Sequence, residues 1–191
     1  MPKVFSEAEK KEHRAQIFDK GLKLIMEKGY KNVTVDQLVQ LIHASKGYFY
    51  LLFESKESFF LDAIAWQMEN IFNAMKEARD RGASSEEIGN LYRQLLKKMH
   101  FASYEDIVYV QKKVSQKEWE KFREFEKIYF TKILKLIGRD NSGCDPEVIS
   151  NLSALIYLSH NMKQYAQYLF PEKSDEVTEI LLDTLHRYIY G

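Results

Sequence analysis

The residues with the clearest chemistry lie in one short stretch, which reads SKGYFYLLFESKE from Ser45 to Glu57. It combines lysine, serine and tyrosine side chains, which donate hydrogen bonds, with leucines and phenylalanines. Such donors suit phosphate oxygens and the edges of nucleic-acid bases. No acidic residue occurs between Asp36 and Glu54. The composition of this stretch therefore indicates DNA as a partner.

Helical geometry divides the stretch into two faces. Phe49, Leu52 and Phe53 fall on one face, at positions i, i+3 and i+4, and that face can be buried. The opposite face consists of Lys46, Gly47, Tyr50 and Leu51, with Tyr48 at its edge. A glycine inside a helix costs ~1 kcal/mol relative to alanine, so a glycine near the centre of an exposed face indicates close backbone approach by a partner.

The elements that position this stretch are also predicted to be helices. Ser6 and Glu9 have the spacing of a capping box, which opens a first helix that ends at Gly29. Thr34 is a suitable N-cap for a short second helix, and the third helix begins at Ser45. Two short helices joined by a tight turn and packed on a longer first helix form a helix-turn-helix unit.

The remaining sequence continues the helical pattern. The chain has 191 residues, of which 45% are hydrophobic, 8 are glycine and 3 are proline. Apolar residues recur at helical spacing almost throughout, and no segment alternates with period 2 for long enough to predict a sheet. We therefore predict an all-α fold of about nine helices.

Composition argues against several classes of protein. The 28 basic and 28 acidic residues give no net charge, which disfavours indiscriminate coating of nucleic acid. The single cysteine, Cys144, permits no internal disulfide and fits a reducing cytoplasm. The polar N-terminus and the lack of any run of ~18 apolar residues predict a cytoplasmic protein without a membrane segment.

We find no constellation of residues that predicts an enzyme. The five histidines lack metal-ligand spacing, Cys144 has no neighbouring base, and no glycine-rich loop could cradle a phosphate. The sequence therefore predicts no catalytic activity, no cofactor and no metal site.

From Ile17 to Phe60 the sequence resembles the DNA-binding signature of the tetracycline-repressor (TetR) family of bacterial transcriptional regulators. The matching residues are Ile17, Gly29-Tyr30, Thr34-Val35, Leu38, Ser45-Lys46-Gly47, Tyr50, Phe53 and Ser55-Lys56-Glu57. The resemblance implies a helix-turn-helix DNA-binding domain, residues 1–54, fused to a helical ligand-binding and dimerisation domain, residues 55–191. The function it implies is that of a ligand-responsive regulator, most often a repressor, that binds a palindromic operator as a homodimer and is released by a small effector.

The resemblance also assigns roles to individual residues. It implies that Thr34, Tyr50 and Lys56 bind phosphates and that Ser45, Lys46, Gly47 and Tyr48 face the groove. We expect the effector to be apolar or aromatic, and to bind in a pocket formed by residues from the central and later helices. The candidates for that pocket are Trp66, Met99, Tyr104, Trp119, Phe122, His160, Asn161 and Tyr165.

Four residues depart from the family pattern, namely Val39, His43, Ala44 and Leu51. His43 replaces the usual turn glycine, and if the turn needs a positive φ, histidine adopts it at some cost. Leu51 replaces a residue that is often polar, and leucine donates no hydrogen bond, although it can pack on a thymine methyl group or on sugar. These departures leave open an alternative function, an all-helical interaction adaptor without sequence-specific DNA binding.

Overall fold

The chain is all-α over the part that the computed structural model describes, residues 5–98, 103–160 and 170–191. The α-helices are α1 (Glu7–Lys28), α2 (Val35–Gln40), α3 (Lys46–Leu52), α4 (Lys56–Asp80), α5 (Ser85–Lys98), α6 (Tyr104–Gln111), α7 (Gln116–Leu136), α8 (Pro146–His160) and α9 (Ser174–Tyr190). Short 3₁₀ turns, Tyr30–Asn32 and Pro171–Lys173, precede α2 and α9. The predicted fold class is confirmed for these ranges. None of the described helices has the length and apolar character needed to cross a membrane.

Contacts between residues that are close in space group the chain into two compact units. Unit 1 comprises Met1–Gln67 and His100–Trp119, and unit 2 comprises Met68–Met99 and Glu120–Gly191. Helix α6 therefore belongs to unit 1 together with the helix-turn-helix, and α4 contributes residues to both units. The predicted boundary at residue 54 separates a DNA-binding domain from a ligand-binding domain. It does not coincide with the boundary between the compact units, and it stays a prediction about function.

The helix starts in unit 1 follow from local capping. The backbone N–H of Glu9 donates to Ser6 Oγ at 3.2 Å, and the N–H of Ser6 donates to Glu9 Oε2 at 2.8 Å. Thr34 and Gln37 form the same reciprocal pair at the start of α2. Each pair satisfies backbone donors that have no partner within the helix, so the helix begins at a defined residue.

The core of unit 1 is an aromatic cluster between α1, α3 and α4. Phe49 and Phe59 are fully buried, and their ring centroids lie 5.8 Å apart. Phe53 lies 5.1 Å from each of these rings, and Phe18 lies 5.4 Å from Phe53. Burying each of these side chains stabilises the fold by about 1.5–3 kcal/mol. The prediction that Phe49, Phe53 and their neighbour Leu52 form the buried face of α3 is confirmed.

In unit 2, α8 and α9 pack on each other through buried hydroxyl groups as well as apolar contacts. Ser159 Oγ lies 2.6 Å from Thr178 Oγ1, and Ser174 Oγ donates to the carbonyl of Ser159. All three side chains are buried. Because buried hydroxyls need partners, this cluster fixes the register of the two helices relative to each other.

Candidate nucleic-acid interface

Both ends of α3 are held by hydrogen bonds. At the start, Ser45 Oγ accepts from the backbone N–H of Tyr48 at 3.3 Å. At the end, the guanidinium of Arg14 donates to the carbonyl of Leu52 and also pairs with Asp62 at 2.8 Å. The guanidinium carbon lies 4.6 Å from the ring centroid of Phe53. Residues of α1 and α4 thus fix the position and direction of α3.

Tyr48 does not lie where the sequence placed it. Its side chain is only 5% exposed, and its hydroxyl lies 2.8 Å from His13 Nδ1. Phe5 packs against both rings, with centroid distances of 4.4 Å to Tyr48 and 5.1 Å to His13. The expectation that Tyr48 faces a groove is therefore corrected, because residues from the start of α1 cover it.

The exposed face of α3 contains the other predicted groove residues. Ser45, Lys46 and Gly47 are exposed, and the side chains of Tyr50 and Leu51 are 52% and 76% exposed. The centre of this face is neutral and carries the Tyr50 hydroxyl, and the Lys46 cation lies at its side. These groups suit hydrogen bonding to phosphates and base edges.

Asp36 of α2 adds an acidic group beside this face. Its Oδ2 atom lies 3.6 Å from Lys46 Nζ, and both side chains are more than half exposed. The pair contributes little to stability, because water screens it. It does lower the net charge available at this edge of the face, which the sequence spacing alone did not indicate.

Gly47 has no role in packing that the described residues reveal. Within 4 Å of a Cβ atom placed at this position, the one described neighbour is Ser45 Oγ, at 3.9 Å. The backbone is ordinary α-helix, without the positive φ that favours glycine. The fold therefore has room for a side chain at the centre of the exposed face.

The turn between α2 and α3 adopts a conformation that favours glycine. His43 has φ of +53°, and among the described residues it is the one non-glycine residue with a positive φ. The turn is closed by the N–H of Ala44, which donates to the carbonyl of Val39 at 3.0 Å. Histidine tolerates this region at some energetic cost. The turn geometry of a helix-turn-helix is thus present despite the departure at His43.

Residues 17–63 match the family described as bacterial regulatory proteins, tetR family. This segment of the chain therefore has the sequence of a TetR-family N-terminal domain. Members of this family are DNA-binding transcriptional regulators, and the exposed face of α3 lies within the segment that matches the family.

A curated relative of this chain is the HTH-type transcriptional regulator YuxN of Bacillus subtilis (strain 168), which is 29% identical over 98 residues. That match covers 49% of this chain and 34% of YuxN. The chain thus spans about a third of the length of the curated relatives it matches.

Two solved structures of similar fold cover nearly the whole chain. The fatty acid degradation regulator FadR from Bacillus halodurans aligns with a TM-score of 0.57 and 18% identity, over 94% of this chain and 97% of FadR. A protein from Vibrio parahaemolyticus, described as a TetR-family transcriptional regulator, aligns with a TM-score of 0.54 and 17% identity, over 90% of this chain and 97% of its own. At this level of identity the likeness shows a shared fold.

The two predicted phosphate ligands outside α3 have different environments in this TetR-family domain. Thr34 is exposed at the start of α2. Lys56 is half-buried: its Nζ atom donates to the carbonyl of Tyr30 at 2.6 Å and lies 3.9 Å from the centroid of the Tyr30 ring. Burial lowers the pKa of Lys56, and the carboxylates of Glu57 and Asp106 oppose that effect. Its ammonium group is therefore hydrogen-bonded to the backbone carbonyl of Tyr30 in this conformation.

Sequence reasoning missed the residues that position α3, namely Phe5, His13, Arg14 and Asp62. His13 is 35 positions before its partner Tyr48, and Arg14 is 38 positions before Leu52. No local spacing rule links residues so far apart. The signal that could have drawn attention to them is the placement of His13 and Arg14 on a helix predicted to pack against α3.

The predicted effector-binding residues are only partly described. Met99, Asn161 and Tyr165 lie outside the described residues, as do the side chains of Tyr104 and His160. The ring centroids of Trp66 and Phe18 lie 5.8 Å apart, and those of Phe122 and Phe125 lie 6.2 Å apart. Trp119 is partly buried at the start of α7. The assignment of these residues to a ligand site stays a prediction.

Unit 2 contains a small cavity. It has a volume of about 30 Å³, and Met75, Tyr92, Leu96, Ile133, Leu182 and Ile189 are among its lining residues. None of the predicted effector-binding residues lines it. This volume is far below the ~300–1,000 Å³ of typical ligand pockets, so the cavity as described is too small for an organic effector.

Proposed function

We propose that this protein regulates transcription by binding double-stranded operator DNA through the exposed face of α3. The observation that carries the proposal is Gly47. A glycine in a helix interior costs ~1 kcal/mol relative to alanine, and packing within the described fold gives no reason for it. Close approach of the α3 backbone to the floor of a groove supplies that reason.

The neighbours of Gly47 are suited to the two kinds of contact that such docking needs. Ser45 and Lys46 would reach base edges or nearby phosphates, and the hydroxyls of Tyr50 and Thr34 would bind phosphates. Lys56 would contact a phosphate after its ammonium group releases the carbonyl of Tyr30. Two copies would bind the two halves of a palindromic operator as a dimer. We propose that the bound dimer represses transcription.

We further propose that a small apolar or aromatic effector binds within residues 55–191 and releases the DNA. Members of the family often respond to ligands, and α4 contributes residues to both compact units. An effector would lower operator affinity by at most its differential affinity for the two conformations of the protein. The residues that would contact it are the eight assigned from the sequence.

The test is selection of DNA by the purified full chain from a pool of random duplexes. We expect enrichment of an inverted repeat, with a binding constant that falls as salt concentration rises. Gly47→Leu should abolish this binding, because the added side chain blocks backbone approach. Its helical content and melting temperature should stay near those of the unchanged protein, since the position is open.

The matched control is Asn70→Leu, which adds the same side chain to an exposed position of α4. It should bind the selected duplex normally. If the Gly47 variant also binds normally, the exposed face of α3 does not dock as proposed. If no sequence is enriched, the interaction adaptor becomes the better account. Adding hydrophobic compounds to the same binding assay tests effector release.

A further inference from the structure

The exposed face of α3 is chemically asymmetric. At about 100° per residue, Gly47 and Tyr50 occupy the centre of this face, and Lys46 and Leu51 flank them on opposite sides. Lys46 lies on the side that faces Asp36, 3.6 Å from its carboxylate. On the other flank, the exposed side chain of Leu51 is itself uncharged. The two flanks would therefore recognise different groups on a partner.

Leu51 is more exposed than any other large hydrophobic side chain among the described residues of unit 1. It is 76% exposed, compared with 52% for Tyr50 and 36% for Met26. Its exposure means that the fold gains little from its apolar surface, so packing does not explain a leucine at this position. It follows Gly47 by four residues, which places the two side by side on the helix surface.

A leucine on a helix that enters the major groove has one apolar group to contact on the base edges. The exposed edges of guanine, adenine and cytosine present hydrogen-bond donors and acceptors, whereas thymine also presents its C5 methyl group. Covering a polar edge with leucine would remove water from that edge without replacing its hydrogen bonds. The side chain therefore favours an A·T pair that presents its methyl group to the helix.

We infer that Leu51 reads operator sequence by packing against the C5 methyl group of a thymine. This inference rests on the proposed docking of α3 in the major groove. It makes Leu51 a specificity residue, in contrast to Tyr50, whose hydroxyl would hold the backbone without reading sequence.

The test uses the duplex that the full chain selects from a random pool. Each thymine of that duplex is replaced in turn by uracil, which removes the C5 methyl group and leaves base pairing intact. At one position in each half-site we expect affinity to fall about fourfold per methyl group, the factor that corresponds to burial of one such group. The other replacements should have smaller effects.

Two variants complete a cycle that assigns the effect to Leu51. Leu51→Ala should bind the selected duplex more weakly, and uracil at the same position should cause no further loss. Lys46→Ala, on the opposite flank, should also bind more weakly but keep the full uracil effect. The melting temperature of each variant checks that the fold is intact.

The outcomes distinguish this inference from the proposed function. Selection of a specific duplex in which no uracil replacement weakens binding would overturn the role of Leu51 and leave DNA binding by α3 in place. An equal uracil effect in the unchanged protein and in Leu51→Ala would do the same. If no duplex is selected, the proposed function fails, and the role of Leu51 fails with it.

Discussion

Three glycines inside the described helices meet different surroundings. A Cβ atom at Gly21 would lie 2.9 Å from Phe59 Cζ, and one at Gly89 would lie 2.7 Å from the hydroxyl of Tyr190. These contacts are closer than a methyl group tolerates, so packing explains both glycines. A Cβ atom at Gly47 would instead lie 3.9 Å from Ser45 Oγ, an ordinary contact distance. Packing within the fold therefore accounts for Gly21 and Gly89 but does not account for Gly47.

The contrast predicts opposite effects of alanine at Gly47 and Gly21. Gly47→Ala should raise the free energy of unfolding by up to ~1 kcal/mol, because alanine favours the helix and no neighbour obstructs it. Gly21→Ala gains the same helix preference but must displace buried Phe59 and Leu38, which costs about 1–3 kcal/mol. Urea unfolding of both variants measures the difference.

The two variants serve as controls for each other, since each makes the same chemical change within a helix of unit 1. Equal changes in stability would show that the contacts around Gly21 relax without cost. A loss of stability in Gly47→Ala would mean that this position is packed, and it would remove the main support for partner approach.

At the level of single residues, the sequence predicted exposure well where only helix geometry decides it. Lys46, Gly47, Tyr50 and Leu51 lie on the exposed face as expected. Tyr48 lies at the edge of that face, where a neighbouring element decides whether it is covered. His13 and Phe5 cover it, and helical spacing within α3 contains no information about them.

At the scale of elements, α4 and α6 both bind the backbone of one residue, Tyr30. The Tyr30 N–H donates to Asp106 Oδ1 at 2.9 Å, and the Tyr30 carbonyl accepts from Lys56 Nζ at 2.6 Å. Tyr30 is 1% exposed and Asp106 is 6% exposed. Both polar atoms of a buried peptide group are thus satisfied by side chains, which joins α6 to the segment between α1 and α2.

This arrangement predicts that Asp106→Ala destabilises the protein. The substitution leaves the buried N–H of Tyr30 without its acceptor and removes a hydrogen bond to a charged group, which contributes about 1.5–3 kcal/mol. Asp106→Asn should lose less, because the amide carbonyl oxygen can still accept. Thermal and urea unfolding of the full chain measure both effects.

Glu105→Ala is the matched control, because Glu105 is an exposed acid in the same first turn of α6. It removes the same favourable interaction with the helix N-terminus without affecting Tyr30. If Asp106→Ala and Glu105→Ala lose equal stability, the bond to Tyr30 contributes nothing and α6 is held by apolar packing.

Helix boundaries were predictable because caps are local. The capping boxes at Ser6 and Thr34 and the N-cap at Ser45 involve residues three positions apart, and the structure contains all of them. The membership of α6 in unit 1 was not predictable in this way. It depends on contacts such as that between Tyr30 and Asp106, which are 76 positions apart in the chain.

At the scale of the whole molecule, α8 and α9 leave apolar side chains exposed after they have packed on each other. Leu155 is 48% exposed, Ile180 57% and Tyr188 37%. Ile156 and Ser159, which lie on the neighbouring side of α8, are buried inside unit 2. Ile180 and Tyr188 are eight residues apart and so lie along one side of α9. Exposed apolar stripes of this kind are typical of surfaces that another protein covers.

We predict that a second copy of the chain covers these stripes, so that two α8–α9 pairs form an isologous four-helix bundle. Sedimentation at micromolar concentration should give about twice the chain mass of 22.6 kDa. Because each substitution occurs twice in such an interface, Ile180→Glu should produce monomers and weaken binding to an inverted repeat. Ile128→Glu, at a 46% exposed position of α7, should leave the dimer intact. A monomeric unchanged protein, or equal dissociation of both variants, would show that these stripes do not pair.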